Sequence, residues 1–131
     1  MPVTEESQVF AKIVRYIAGQ ADDVSRDDET PEGRYLAEAL SELAQAFETT
    51  GGFEFKPEQA PHLAHTFSTL EAAMRALSAQ ARQLEQHNAA AKMEWAADQA
   101  SRMSADCYES HRRKGGGIIA FAPAEEGEAE G

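Results

Sequence analysis

The stretch His62–Lys114, HLAHTFSTLEAAMRALSAQARQLEQHNAAAKMEWAADQASRMSADCYESHRRK, runs for 53 residues without a glycine or a proline and stops at Gly115-Gly116-Gly117. It is rich in Ala, Leu, Gln, Glu, Arg and Met, all good helix formers. Leu63, Phe67, Leu70, Met74, Leu77, Ala81, Leu84, Asn88, Ala91 and Trp95 follow one another at alternating intervals of four and three. This is a heptad seam, with Leu63, Leu70, Leu77 and Leu84 in equivalent positions, and it predicts one continuous helix over 61–114. Such a rod would extend about 80 Å at roughly 1.5 Å per residue. Beyond Trp95 the apolar pattern resumes one residue out of phase, at Ala96, Ala100, Met103 and Cys107, a slip that alters local winding. The competing reading breaks the helix near His87 and folds it back as a fourth helix of a closed monomer. The survival of the heptad phase through His87-Asn88 favours the rod. Asn88 is then either a register-setting contact across a dimer or an exposed residue at a weak point.

Two shorter helices precede the rod. Thr4 before Glu5 and Glu6 is a candidate N-cap, and Phe10, Ile13, Val14 and Ile17 follow at helical spacing, which predicts a helix over about 4–21. Gly19 to Glu29, with four aspartates, reads as a solvated linker. Thr30-Pro31-Glu32 is a start signal for a second helix over 31–49, with Leu36, Leu40, Leu43 and Phe47 on one face and Gly51-Gly52 as its stop. Phe53-Glu54-Phe55 alternates like a short extended segment. The expected fold is therefore all-α: two shorter helices packed on one very long C-terminal helix, as a three-helix bundle or coiled coil. The expected partition is one helical domain over 1–114 and a flexible tail over 115–131.

Length and composition fit that picture. A chain of 131 residues suits one domain, and 25 alanines with 8% aromatic residues imply a thin core between helices. No apolar run approaches the ~20 residues needed to span a bilayer, and MPVTEES lacks the segments of a secretory signal. Cytoplasmic localisation without membrane contact is the expectation. Cys107 is the single cysteine, so no internal disulfide can form.

Charge is unevenly spread. The net charge is -11; residues 1–58 carry -8, residues 59–114 carry +1 and residues 115–131 carry -4. An acidic chain repels phosphate, so direct nucleic-acid binding is disfavoured. The cluster Arg112-Arg113-Lys114 reads as solvated cations at the negative end of a helix. A leucine every seventh residue invites a zipper transcription factor, but the segment before it is acidic where a basic region is required.

Several constellations bear on chemistry. His62 and His65 lie three apart, and Cys107 and His111 four apart, both suitable spacings for zinc ligands; a fold-back near His87 would bring the two pairs together, whereas in a continuous rod they are far separated. Glu38 with Glu42, and Asp22 with Asp23, lack a neighbouring apolar pocket in sequence and read as solvated acids. No phosphate-binding glycine loop, nucleophile elbow or dinucleotide fingerprint occurs. Arg82-Gln83-Leu84-Glu85-Gln86-His87 resembles the R-x4-H signature of HEPN ribonucleases, all-helical dimeric domains. That resemblance implies Arg82 as a phosphate stabiliser and His87 as acid or base, although Gln83 stands where the family frequently has Asn, Asp or His after its arginine.

The functional expectation is a non-enzymatic acidic helical module that binds a protein, as adaptor, assembly factor or inhibitor, with no cofactor and no metal. Helices one and two cover only the first half of the rod. Trp95, Met103 and Tyr108 on the second half, with Ile118, Ile119 and Phe121 of the tail, are the expected protein-binding residues. Leu63, Phe67, Leu70, Met74, Leu77, Leu84 and Asn88 are the expected bundle or dimer seam. The expected partner offers a basic or apolar groove, and the chain is expected to form a homodimer. One alternative is an acidic nucleic-acid mimic that antagonises a DNA- or RNA-binding complex, as phage anti-defence proteins do; the other is the HEPN-like ribonuclease. Gly115-Gly116-Gly117 reads as a swivel, and Ile118–Phe121 either as a strap across a groove or as a free linear motif.

Overall fold

The computed structural model describes residues 3–28 and 31–121, without the side chains of 24–28 and 31–33. It is mostly helical, in the order α1 (Glu5–Asp28), α2 (Pro31–Thr50), β1 (Gly52–Phe55), a 3-10 turn (Pro57–Gln59), α3 (Ala60–Gln83), α4 (His87–Arg112) and β2 (Gly117–Ala120). The described residues divide into two compact units where the sequence suggested one domain and a tail. One comprises the residues up to Glu54 together with 118–121; the other is Phe55–Gly117.

The first unit is built on the α1–α2 hairpin. Thr4 and Ser7 cap α1 reciprocally: the Thr4 N–H donates to Ser7 Oγ at 3.0 Å and the Ser7 N–H to Thr4 Oγ1 at 3.0 Å. Phe10, Ile13, Val14 and Ile17 of α1 are buried, as are Leu40, Leu43 and Phe47 of α2. α1 does not end near residue 21; it continues through the acidic stretch read as a linker. Its Ala21 and Asp22 are half-buried, so packing overrides the weak local preference of an aspartate-rich turn. The expected cap Thr30 lies outside the described residues. α2 ends where Gly51 takes φ 72°, a left-handed conformation that glycine adopts without steric cost.

β1 and β2 form a two-stranded sheet. Gly52 lies against Ile119 and Ala120, and the Phe121 N–H donates to Gly51 O at 3.3 Å. The strand is thus laid on the hairpin, and Phe121 joins a cluster of rings. Its centroid is 5.4 Å from both Phe10 and Phe47, which are 5.2 Å from each other, and Phe53 stands 5.9 Å from Phe47. Such edge-to-face and tilted contacts add to the burial of each ring.

The second unit corrects the continuous rod. α3 and α4 are separate helices joined at Leu84–Gln86 and packed back on each other. The break uses no glycine. Glu85 adopts φ 59°, the Glu85 N–H donates to Arg82 O at 3.0 Å, and the Gln86 N–H donates to Ala81 O at 2.8 Å. These two bonds make a Schellman motif with glutamate at its left-handed position. Left-handed backbone costs a non-glycine residue about 1–2 kcal/mol. Burial of a large apolar side chain contributes about 1.5–3 kcal/mol. With the two helices folded back, Phe67, Leu70 and Met74 of α3 and Met103 of α4 are all buried, so the hairpin wins by a wide margin. α4 ends on the same device, with Lys114 at φ 58° and the Gly115 N–H donating to Ser110 O at 2.9 Å.

Small residues set the closeness of this hairpin. Ala60, Ala64, Ser78 and Ala81 on α3 and Ala90, Ala96, Ala97, Ala100, Cys107 and Ser110 on α4 are buried. Ser78 Oγ donates to Ala90 O at 3.0 Å and Ser104 Oγ to Ala64 O at 2.9 Å, each pair symmetric about Leu84. Side-chain hydroxyls reach the opposite backbone only where two helices approach closely. Along one edge Arg75 binds Glu71 at 2.9 Å, Glu94 at 3.1 Å and Asp98 at 3.2 Å, tying α3 to α4.

The seam divides accordingly. Phe67, Leu70 and Met74 are buried and Leu63 and Leu77 half-buried, but Leu84 is 62% exposed and Asn88 is exposed on the first turn of α4. The phase slip after Trp95 belongs to the register of a second helix, not to altered winding of one.

Candidate functional site

The α1–α2 hairpin carries an open trough of about 640 Å³, lined by Arg15, Ala18, Gly19 and Asp22 of α1 and by Arg34, Ala37, Glu38, Ser41 and Glu42 of α2. The trough exists because Ala18, Gly19, Ala37 and Ser41 are too small to fill the space between charged flanks. A Cβ added at Gly19 would meet nothing within 4 Å.

Its electrostatics are set by which cations are engaged. Arg15 forms a two-pronged pair with Glu48, including Nη2 to Oε2 at 3.2 Å. That hydrogen bonding raises the Arg15 pKa and lowers that of Glu48. With Arg15 held by Glu48, the trough presents Glu38 and Glu42 beside Arg34, and Asp22, which is itself engaged, lines the α1 side. Elsewhere on this unit Glu5, Glu6, Asp23 and Glu54 are exposed. The arrangement suits side chains that end in ammonium or guanidinium. The sequence reading identified Glu38, Glu42 and Asp22 as solvated acids; it missed that two helices bring them to one trough. The small residues at 18–19, 37 and 41 are the signal that could have revealed it.

The expected protein-binding residues have diverse surroundings. Met103 is buried within the α3–α4 unit, Trp95 is half-buried, and Tyr108 is 67% exposed. Ile119 and Phe121 are 2% and 3% exposed, packed in the first unit, while Ile118 is 61% exposed. Of the two readings of Ile118–Phe121, the strap is the one the structure describes: β2 pairs with β1 and Phe121 is buried. Nor are all three glycines a swivel: a Cβ at Gly116 would stand 2.4 Å from Phe55 O and one at Gly117 2.9 Å from the Phe55 ring, whereas Gly115 is open. Gly116 and Gly117 serve close approach to Phe55.

Arg82 and His87 flank the α3–α4 turn, both exposed, and Arg82 Nη2 lies 3.6 Å from Glu94 Oε2. His62, His65 and His111 are exposed and Cys107 is buried; no three His, Cys, Asp or Glu side chains among the described residues are grouped to hold a metal ion. Burial, and then the charge of Asp106, push the Cys107 thiol up to about 11, which suppresses the thiolate needed for ligation or attack. Beside it Glu109 binds Arg112 at 2.6 Å, a pairing that lowers the glutamate's pKa and leaves that cation at the helix end partly neutralised.

No described helix is long and apolar enough to cross a membrane. Comparison with protein-family models, with curated proteins and with solved structures finds no match for this chain.

Proposed function

We propose that this chain is a non-enzymatic protein-binding module whose acidic α1–α2 hairpin meets a basic surface on a partner. The observation that supports it is the division of charge: residues 1–58 hold -8 of the net -11, and the α1–α2 trough gathers Asp22, Glu38 and Glu42 of that segment. Carboxylates on a helical scaffold accelerate encounter and select against acidic partners more than they add affinity. Tyr35 of α2 is 69% exposed, an amphipathic side chain open to a partner. The homodimer expected from an uncovered rod loses that premise, since α4 itself covers α3.

The test is affinity capture with the wild-type chain and with a Glu38→Lys/Glu42→Lys variant, at low and high salt. A specific partner rich in exposed Lys and Arg should be retained by the wild type, released by salt, and retained at least about tenfold less by the variant. Equal retention by both proteins would reject the trough as the contact. If the captured partner binds DNA or RNA and the chain displaces that ligand, the module acts as a nucleic-acid mimic.

A further inference from the structure

The α1–α2 unit is completed by a strand from the other end of the described chain. Phe10 and Phe47 form an aromatic seat, with Phe53 standing against Phe47, and Phe121 enters it while Ile119, two residues earlier, is buried on the same strap. The backbone is fitted as closely as the side chains: a Cβ on Gly52 would stand 2.2 Å from Ile119 O and 2.8 Å from Ala120 Cα. The seat thus reads an extended strand by main-chain pairing with β1 and by apolar side chains two positions apart. Nothing in that recognition requires the strand to come from the same molecule.

We propose that the seat also accepts Ile118–Phe121 of a second copy of this chain, giving a strand-exchanged dimer. The occupant is specified by the structure, because the segment already seated is the one whose side chains and carbonyl path match the seat. Gly115 supplies the point of redirection, since it alone of the three consecutive glycines has no neighbour within 4 Å of an added Cβ. A strap tethered in cis competes at an effective concentration of roughly millimolar order, so exchange is favoured at high protein concentration or when the cis strap cannot seat. This proposal is independent of the acidic trough, and either can fail alone.

The experiment mixes two full-length variants. Phe121→Asp keeps an intact seat but spoils its own strap. Gly52→Ala keeps an intact strap, and its added Cβ collides with Ile119 O when a strap seats; Gly52 has no positive φ, so alanine suits its own backbone. Each variant alone should remain helical by circular dichroism, melt below wild type and sediment as a monomer. Their equimolar mixture should yield a species of twice the monomer mass, with a melting transition raised toward wild type. A mixture that stays two destabilised monomers overturns the proposal. So does recovery of Phe121→Asp by a free peptide of residues 116–121 without any heterodimer, because the seat would then take strands but not from a second copy. If Phe121→Asp fails to fold, Phe121→Ala replaces it with the same two outcomes.

Discussion

Replacing Glu85 by glycine should stabilise this protein, although glycine is the poorest residue for a helix interior after proline. Glu85 sits at φ 59° in the Schellman turn that ends α3, and its side chain makes no hydrogen bond or ion pair among the described residues. Glycine removes the left-handed penalty of about 1–2 kcal/mol. Against this, glycine costs about 0.4–1 kcal/mol because the unfolded chain gains freedom that folding must remove. The net gain is about 0.5–1 kcal/mol, or a rise of roughly 2–4 °C in melting temperature for a chain of this size. The sign is the informative part. In a continuous helix the same change would destabilise by about 1 kcal/mol, and Glu85→Ala would be neutral or slightly favourable. In the hairpin, Glu85→Ala keeps a Cβ in the left-handed region and gives no gain. Urea and thermal unfolding of the wild type and both variants decide the matter. A lower midpoint for Glu85→Gly together with a higher one for Glu85→Ala would refute the fold-back of α4 on α3.

Other substitutions probe packing and titration. Phe121→Ala removes a ring packed against Phe10 and Phe47 and should cost about 3–5 kcal/mol, read as a fall in urea midpoint; a loss under about 1 kcal/mol would mean the strap is not seated. Ser78→Ala deletes the hydroxyl bonded to Ala90 O across the α3–α4 hairpin and should cost about 1 kcal/mol, with no change in helical content. Cys107 has a folded pKa raised from its ordinary 9.0 to about 11, so folding favours the protonated thiol. Its contribution is complete below pH 9.0 and is lost as pH rises to about 11. The loss is on the order of 2 kcal/mol, seen as a steeper alkaline decline in wild type than in Cys107→Ala. Equal declines would show that the thiol is already hydrated in the fold.

The helical class and the apolar faces of α1, α2 and the first half of the long segment were legible in sequence, because large side chains such as Phe10, Leu40, Phe47, Phe67 and Met74 mark their phase strongly. The position of the α3–α4 turn was not. Ala81, Ala91 and Ala97 fit a core or a surface equally well, so an alanine-rich segment carries a heptad phase across a break without penalty. The turn itself has no glycine or proline to announce it, and glutamate at φ 59° is tolerated only because closing the hairpin buries far more than it costs. The trough and the strap are likewise tertiary properties. Sequence places Asp22, Glu38 and Glu42 on two helices and Phe121 far from Phe10. Only the folded chain, by bringing distant segments within contact range, makes one set a surface and the other a core.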